Sequence, residues 1–319
     1  MRSGSRPLRS RRVTVPLGRR QGTGGGGRAG GVGARAPHAG RRRAPRSGAQ
    51  RRTGVSERGG CPVAGVGLQG CRALVTGSSS GIGRVIGVAL AGAGVDVAFN
   101  YRTNRDGAEA AAEEARAHGV RATALEADCA EPAANRRLVA EAARSLGGLE
   151  ILVNNVGEFV FKRLRRHSPE EFERIIAGTV GTTFHATQAV LPHLQRAGFG
   201  RVVNIAAAGA ETAMGGLREG AHLAGKAGVV SLTRSYALEE ARTTPAGGIT
   251  FNAVSPGIIE QRETARVAAL ELQDRQNPTG RPGTGEDIAD AVLFLCRRES
   301  SFINGAVLAV TGGWQGNLG

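Results

Sequence analysis

His222 and Lys226 stand four residues apart in the run Ala221-His222-Leu223-Ala224-Gly225-Lys226. On a helix that spacing puts both side chains on one face, so an imidazole and an ammonium reach the same pocket. Imidazole titrates near neutrality and can take or give a proton. A neighbouring ammonium favours its neutral form and makes it a better base than acid. Lys226 is one of two lysines in a chain with 42 basic residues, so a compact ammonium is needed there where arginine is otherwise used. The second chemical feature is Thr76-Gly77-Ser78-Ser79-Ser80-Gly81-Ile82-Gly83. Gly77 permits a tight turn, and Gly81 and Gly83 let backbone approach a phosphate and a helix approach a sheet. Free N–H groups at the start of the following helix then face the anion.

Both features need a frame. Short apolar runs alternate with Ala-rich helical stretches, the pattern of strands joined by crossover helices. Strands are expected at 72–76, 95–101, 122–127, 149–153, 201–205, 248–254 and 306–310. Helices are expected at 82–93, 106–118, 133–145, 220–240 and 286–296, with a long one over 169–195 that breaks near Gly178 and Gly181. This is an α/β chain with a Rossmann-type doubly wound parallel sheet of about seven strands in a single domain, 67–319. Ligand binds such a sheet at the carboxyl ends of its strands. The glycine turn follows a strand and opens a helix, which makes it credible as a dinucleotide site.

The end of the second strand reads Asn100-Tyr101-Arg102-Thr103-Asn104. An acid here would bind ribose hydroxyls and repel a 2′-phosphate. There is none, and Arg102 can pair with a phosphate, with Arg84 adding charge. NADP is therefore expected over NAD.

The Gly-x3-Gly-x-Gly spacing resembles that of the short-chain dehydrogenase/reductase family. Asn154-Asn155-Val156-Gly157 is similar to the family's Asn-Asn-Ala-Gly segment. Asn252-Ala253-Val254-Ser255-Pro256-Gly257 is similar to the segment that lines the nicotinamide. Gly280-Arg281-Pro282-Gly283 and Thr311-Gly312-Gly313 resemble its C-terminal signature. The resemblance implies that Gly77, Ser79, Ser80, Gly81, Ile82, Gly83, Tyr101, Arg102, Asp128, Asn155, Gly157, Lys226, Pro256 and Gly257 bind cofactor. Asp128 would contact adenine, and Lys226 would hold the nicotinamide ribose. The family's proton-handling tyrosine falls on His222, its serine on Ala207 and its helix asparagine on Thr179. Two readings stay open. His222 replaces the tyrosine in proton transfer, with Thr179 supporting a water, on a small carbonyl, enone or alcohol substrate. Alternatively, the chain is a catalytically impaired NADP-binding protein, a sensor or partner subunit. Ala207 cannot polarise a carbonyl; Glu211 and Thr212 stand on the next loop. Residues 258–283 would form the substrate loop, with Glu260, Arg262, Glu263 and Arg266. Family members are often dimers or tetramers, and a homo-oligomer is expected.

Composition divides the chain. Residues 1–60 hold 16 arginines, one acid (Glu57) and a net charge of +15; the remainder has 26 basic and 26 acidic residues. The segment 1–66 is Arg/Gly-rich and is expected to be disordered. It reads as an anion-attracting arm, as a transit peptide, or as a start assigned too early. The neutral body gives no reason to expect a nucleic-acid partner. No apolar run approaches a membrane span. Cys61, Cys71, Cys129 and Cys296 lack metal-ligand spacing and read as reduced thiols of a cytoplasmic protein. No metal is expected.

Overall fold

The computed structural model describes residues 67–244, 248–260 and 278–314. The expected tail 1–66 lies outside these residues. So do 261–277 of the expected substrate loop, including Arg262, Glu263 and Arg266. The strands are β1 Arg72–Val75, β2 Asp96–Tyr101, β3 Ala122–Glu126, β4 Ile151–Asn154, β5 Gly200–Ile205, β6 Ile249–Pro256 and β7 Val307–Val310. They form one parallel sheet in the order β3-β2-β1-β4-β5-β6-β7. The helices are α1 Gly81–Gly92, α2 Arg105–Arg116, α3 Pro132–Leu146, α4 Pro169–Ile176, α5 Thr182–Ala197, α6 Gly220–Thr243 and α7 Gly285–Cys296. Strand order reverses between β1 and β4, which opens a crevice at their carboxyl ends.

The central strands are apolar on both faces because helices cover both. On one face Val75, Phe99, Ile151 and Val203 pack against Ile86 and Leu90 of α1 and Ile288, Val292 and Leu295 of α7. On the other, Leu74, Leu152, Val202 and Phe251 meet Leu138 of α3, Val190 and Leu194 of α5 and Tyr236 of α6. The second layer also carries a buried polar chain. Asn154 Nδ2 donates to Thr187 Oγ1 at 3.1 Å and to Asn204 Oδ1 at 2.8 Å. Asn204 Nδ2 donates to Thr233 Oγ1 at 2.8 Å. Hydrogen bonds between buried polar groups are directional in a way apolar contacts are not. This chain therefore fixes α6, which carries His222 and Lys226, against β4 and β5.

The long helix breaks where its glycines suggest. A π-helical turn, Ala177–Gly181, separates α4 from α5. Thr182 and Thr183 hydroxyls donate to the Thr179 carbonyl at 2.9 and 3.1 Å, occupying an acceptor in the irregular turn. One expectation fails: Cys71 is in a disulfide rather than a reduced thiol, whereas Cys129 and Cys296 are free and buried.

The fit of α1 on β2 is tight. A Cβ on Gly87 would lie 2.3 Å from Phe99 Cε1, and Phe99 is fully buried, so the ring has nowhere to go. Gly87→Ala is expected to lower the unfolding free energy by about 1–3 kcal/mol through overpacking. That loss should outweigh a helix-propensity gain of up to ~1 kcal/mol. Urea unfolding measures it. A midpoint at or above that of the parent protein would contradict the packing described.

Candidate active site

The glycine turn is held open by two asparagines. Gly77 N–H donates to Asn100 Oδ1 at 3.0 Å, and Asn100 Nδ2 donates to the Ala127 carbonyl at 3.1 Å. From the other side Asn155 Nδ2 donates to the carbonyls of Thr76 (3.1 Å) and Gly77 (2.9 Å). Gly77 and Gly81 have φ of +59° and +56°, a region favourable to glycine. A Cβ on Gly83 would meet Asn155 Nδ2 at 2.5 Å and the Gly77 carbonyl at 2.6 Å. Ser80 does not cap α1 with its side chain, and the first turn of α1 has no acidic residue. Its N–H groups and positive dipole end are available to an anion.

A groove of about 450 Å³ runs from this turn along the carboxyl ends of the first four strands. Of the expected cofactor residues, Gly77, Ser79, Tyr101, Arg102, Asp128, Asn155 and Gly157 line it, whereas Ser80, Gly81, Ile82, Gly83, Lys226, Pro256 and Gly257 do not. Arg102 is exposed and reaches Asp128 only at 3.8 Å, so its guanidinium is largely available to a ligand. Arg84 is differently placed: it pairs with Glu114 at 2.9 Å. Pro256 and Gly257 are pinned by backbone bonds, Ala208 N–H to the Pro256 carbonyl (3.0 Å) and Gly257 N–H to the Val310 carbonyl (3.0 Å). The turn, the uncapped helix start and the groove fit a dinucleotide, whose pyrophosphate Gly77–Gly83 would hold and whose adenosine would lie toward Arg102 and Asp128.

Lys226 is 4% exposed and donates from Nζ to the Ile205 carbonyl at 2.6 Å. Burial lowers its pKa to about 8. A Cβ on Gly157 would lie 2.7 Å from this Nζ, so glycine is what lets the ammonium approach the groove wall. One turn earlier, His222 Nδ1 lies 2.8 Å from the Glu158 carbonyl oxygen. Burial, and secondarily the Lys226 ammonium, push the imidazole down to about 3, with Glu219 opposing. Thr179 is fully buried, and its Oγ1 accepts the Glu158 N–H at 3.3 Å. Its hydroxyl thus supports the residue that holds His222. Ala207 follows β5 and offers only its carbonyl, which accepts from Ser255 Oγ at 2.7 Å. Glu211 Oε2 lies 3.1 Å from the same hydroxyl, while Thr212 Oγ1 bonds within its own turn to the Gly209 carbonyl.

Three contributors escape sequence reasoning. Glu158 acts on His222 through a backbone carbonyl, which leaves no mark in residue type. Phe159 sets its ring edge-on to the imidazole, 5.1 Å between centroids. Asn100 looks only like a missing acid, yet it anchors the turn. Its amide, able to donate and accept at once, was the available signal.

Comparison with known proteins agrees with this geometry. A family model described as enoyl-(acyl carrier protein) reductase matches residues 77–315. The chain is 36% identical over 244 residues to the 3-oxoacyl-(acyl-carrier-protein) reductase FabG of Staphylococcus epidermidis, covering 76% of this chain and 97% of that one. It is 36% identical over 253 residues to subunit BbsD of the (2S)-((R)-hydroxy(phenyl)methyl)succinyl-CoA dehydrogenase of Thauera aromatica, covering 78% and 98%. A solved structure from Agrobacterium tumefaciens with bound NADP, provisionally described as a 2-deoxy-d-gluconate 3-dehydrogenase, matches with a TM-score of 0.68. Its identity is 34%, and the match covers 78% of this chain and 98% of that one.

The depressed imidazole has a consequence for stability. Unfolded, His222 takes a proton near its ordinary 6.5; folded, it resists one until about 3. The unfolded state binds more protons across that window, so stability falls as pH falls from 6.5 toward 3. This group contributes about 1.4 kcal/mol per pH unit there. In His222→Gln the slope of unfolding free energy against pH should be shallower by about that amount. Denaturant titrations at a series of pH values test it, and equal slopes would show that the ring titrates normally.

Proposed function

The chain belongs to the short-chain dehydrogenase/reductase family, and from that premise we propose that it is an NADP-dependent oxidoreductase of a small carbonyl, enone or alcohol. His222 stands where the family's proton-handling tyrosine would be. The observation that carries the reading is that His222 and Lys226 both stand against the wall of one groove, His222 on the Glu158 carbonyl and beside Phe159 and Lys226 against Gly157, while Arg102 lines the same groove with its guanidinium largely available. A bound nicotinamide would supply hydride transfer. This chain's residues supply the rest. Lys226 would donate to ribose hydroxyls, Arg102 would pair with the 2′-phosphate, and His222 would handle the proton at the substrate oxygen. The NADP bound by the Agrobacterium relative is consistent with this cofactor choice.

A second reading is cofactor binding without turnover. Ala207 favours it, because no hydroxyl stands there to polarise a carbonyl. A homo-oligomer is also proposed, supported by the exposed Phe172 and Phe184 on α4 and α5; light scattering tests it.

Turnover of the full chain with NADPH or NADP⁺ across ketones, quinones, enones and alcohols tests the main reading. His222→Ala is expected to lower kcat by about 10²–10⁴-fold with NADPH affinity unchanged. Tight NADPH binding with no consumption across that panel would favour the second reading. Arg102→Ala should weaken NADPH by about 10–100-fold, the loss of a charge-assisted contact worth about 1.5–3 kcal/mol, and leave NADH binding unaltered. Equal weakening of both would remove Arg102 from the phosphate site.

A further inference from the structure

One ring nitrogen of His222 has its proton assigned by its partner. Nδ1 lies 2.8 Å from the carbonyl oxygen of Glu158. A carbonyl only accepts, so the proton is on Nδ1, and in the neutral ring Nε2 carries a bare lone pair. That carbonyl is itself held in place. Glu158 N–H donates to the buried Thr179 hydroxyl at 3.3 Å, and the Glu158 carboxylate pairs with Arg174. Phe159 sets its ring edge-on to the imidazole. The charged groups around the imidazole are Lys226 on its own helix, Glu219 just before that helix, and the Glu158–Arg174 pair across from it. Burial disfavours a second ring proton, Lys226 adds to that effect, and Glu219 opposes it.

Position 207 has no hydroxyl, and the Ser255 hydroxyl is shared between Ala207 and Glu211. Lys226 Nζ donates to the Ile205 carbonyl, and on the reading above its other protons serve the ribose. A tyrosine at position 222 would present an O–H to a substrate carbonyl. This imidazole presents an acceptor.

We propose that Nε2 of His222 is the resting proton acceptor of the site, and that the form of substrate it recognises is the hydroxyl-bearing one, an alcohol to be oxidised. This rests on the oxidoreductase reading above. In the step, the carbinol C–H bond breaks with its hydride passing to oxidised nicotinamide. The O–H proton passes to Nε2 and the C=O bond forms. The products are a carbonyl compound, reduced cofactor and an imidazolium that gives its proton to water. Thr179 and the Glu158 backbone are positioning residues that act through the ring. Carbonyl reduction by the same site needs the ring to be protonated first.

Two measurements decide it. The first is long-range ¹H–¹⁵N spectra of the histidine rings in the full chain without cofactor, with His222 assigned through His222→Gln. The Nδ1–H tautomer is expected from about pH 5 to 8. Thr179→Val should release the Glu158 amide and mix in the Nε2–H tautomer, and Thr179→Ser should restore the parent spectrum. A parent ring that is mainly Nε2–H, or doubly protonated at neutral pH, overturns the proposal whatever the enzyme turns over. The second is the pH dependence of kcat/KM in both directions. Between pH 5 and 7 oxidation should change less than about twofold, while reduction should fall about a hundredfold, tenfold per unit for a required imidazolium. A reduction rate that is flat across that window overturns the proposal, because an acid titrating above pH 7 would then supply the proton. No turnover in either direction would instead remove the oxidoreductase reading and the alcohol with it, while the spectrum alone still decides the tautomer.

Discussion

Burying an ammonium costs several kcal/mol unless charge or dipoles replace its water. Lys226 is 4% exposed, and its Nζ donates to one backbone carbonyl, that of Ile205. No carboxylate forms an ion pair with it among the described residues. Much else in the site follows from that. Burial lowers its pKa to about 8. A methyl group at 157 would displace the ammonium from its present position. The imidazole one turn away is held neutral partly by the same charge. An oxygen-rich ligand beside Nζ would offset the desolvation that the protein leaves uncompensated. A ribose, which the proposed cofactor would place there, presents two such oxygens.

The cofactor end is built on the opposite logic, with neutral amides rather than charges. Asn100 and Asn155 grip the glycine turn from two sides through donor and acceptor atoms, and neither adds net charge near the phosphates. An aspartate in place of Asn100 could accept from Gly77 but could not donate to the Ala127 carbonyl. Asn100, near the end of β2, is therefore committed to the shape of the loop. Under the proposed cofactor choice, discrimination would rest on Arg102, whose side chain is 70% exposed and only loosely held by Asp128.

Much of this was legible in the sequence, for physical reasons. Strands buried on both faces read as unbroken apolar runs, as in Ile151-Leu152-Val153, and their edges fall within a residue or two of expectation. Glycines at special backbone angles, such as Gly77, announce the turn because few other residues can replace them. The pairing of His222 with Lys226 follows from helical spacing alone. What stayed hidden was carried by main chain or by tertiary accident. The Glu158 carbonyl that orients His222 would be available from almost any residue type. The role of Thr179 in holding the Glu158 amide depends on where a turn of irregular helix points its side chain. The disulfide at Cys71 could not be found by looking for metal-type or CxxC spacing.

That irregular turn has a further consequence. In a π turn the chain carries roughly one residue more than an α-helix would need for the same rotation. Ala177–Gly181 can therefore be read as a one-residue insertion absorbed within the helix, with the Thr182 and Thr183 hydroxyls occupying the Thr179 carbonyl that the insertion displaced. Removing one residue would regularise the helix while leaving α4 and α5 in nearly the same relative rotation, so the change would fall on the residues of the turn itself. Residue 179 would no longer face Glu158. Chain length at this point is thus as much a determinant of the active site as side-chain identity, and alignments that place a gap here without regard to the turn would assign the wrong residue to the site.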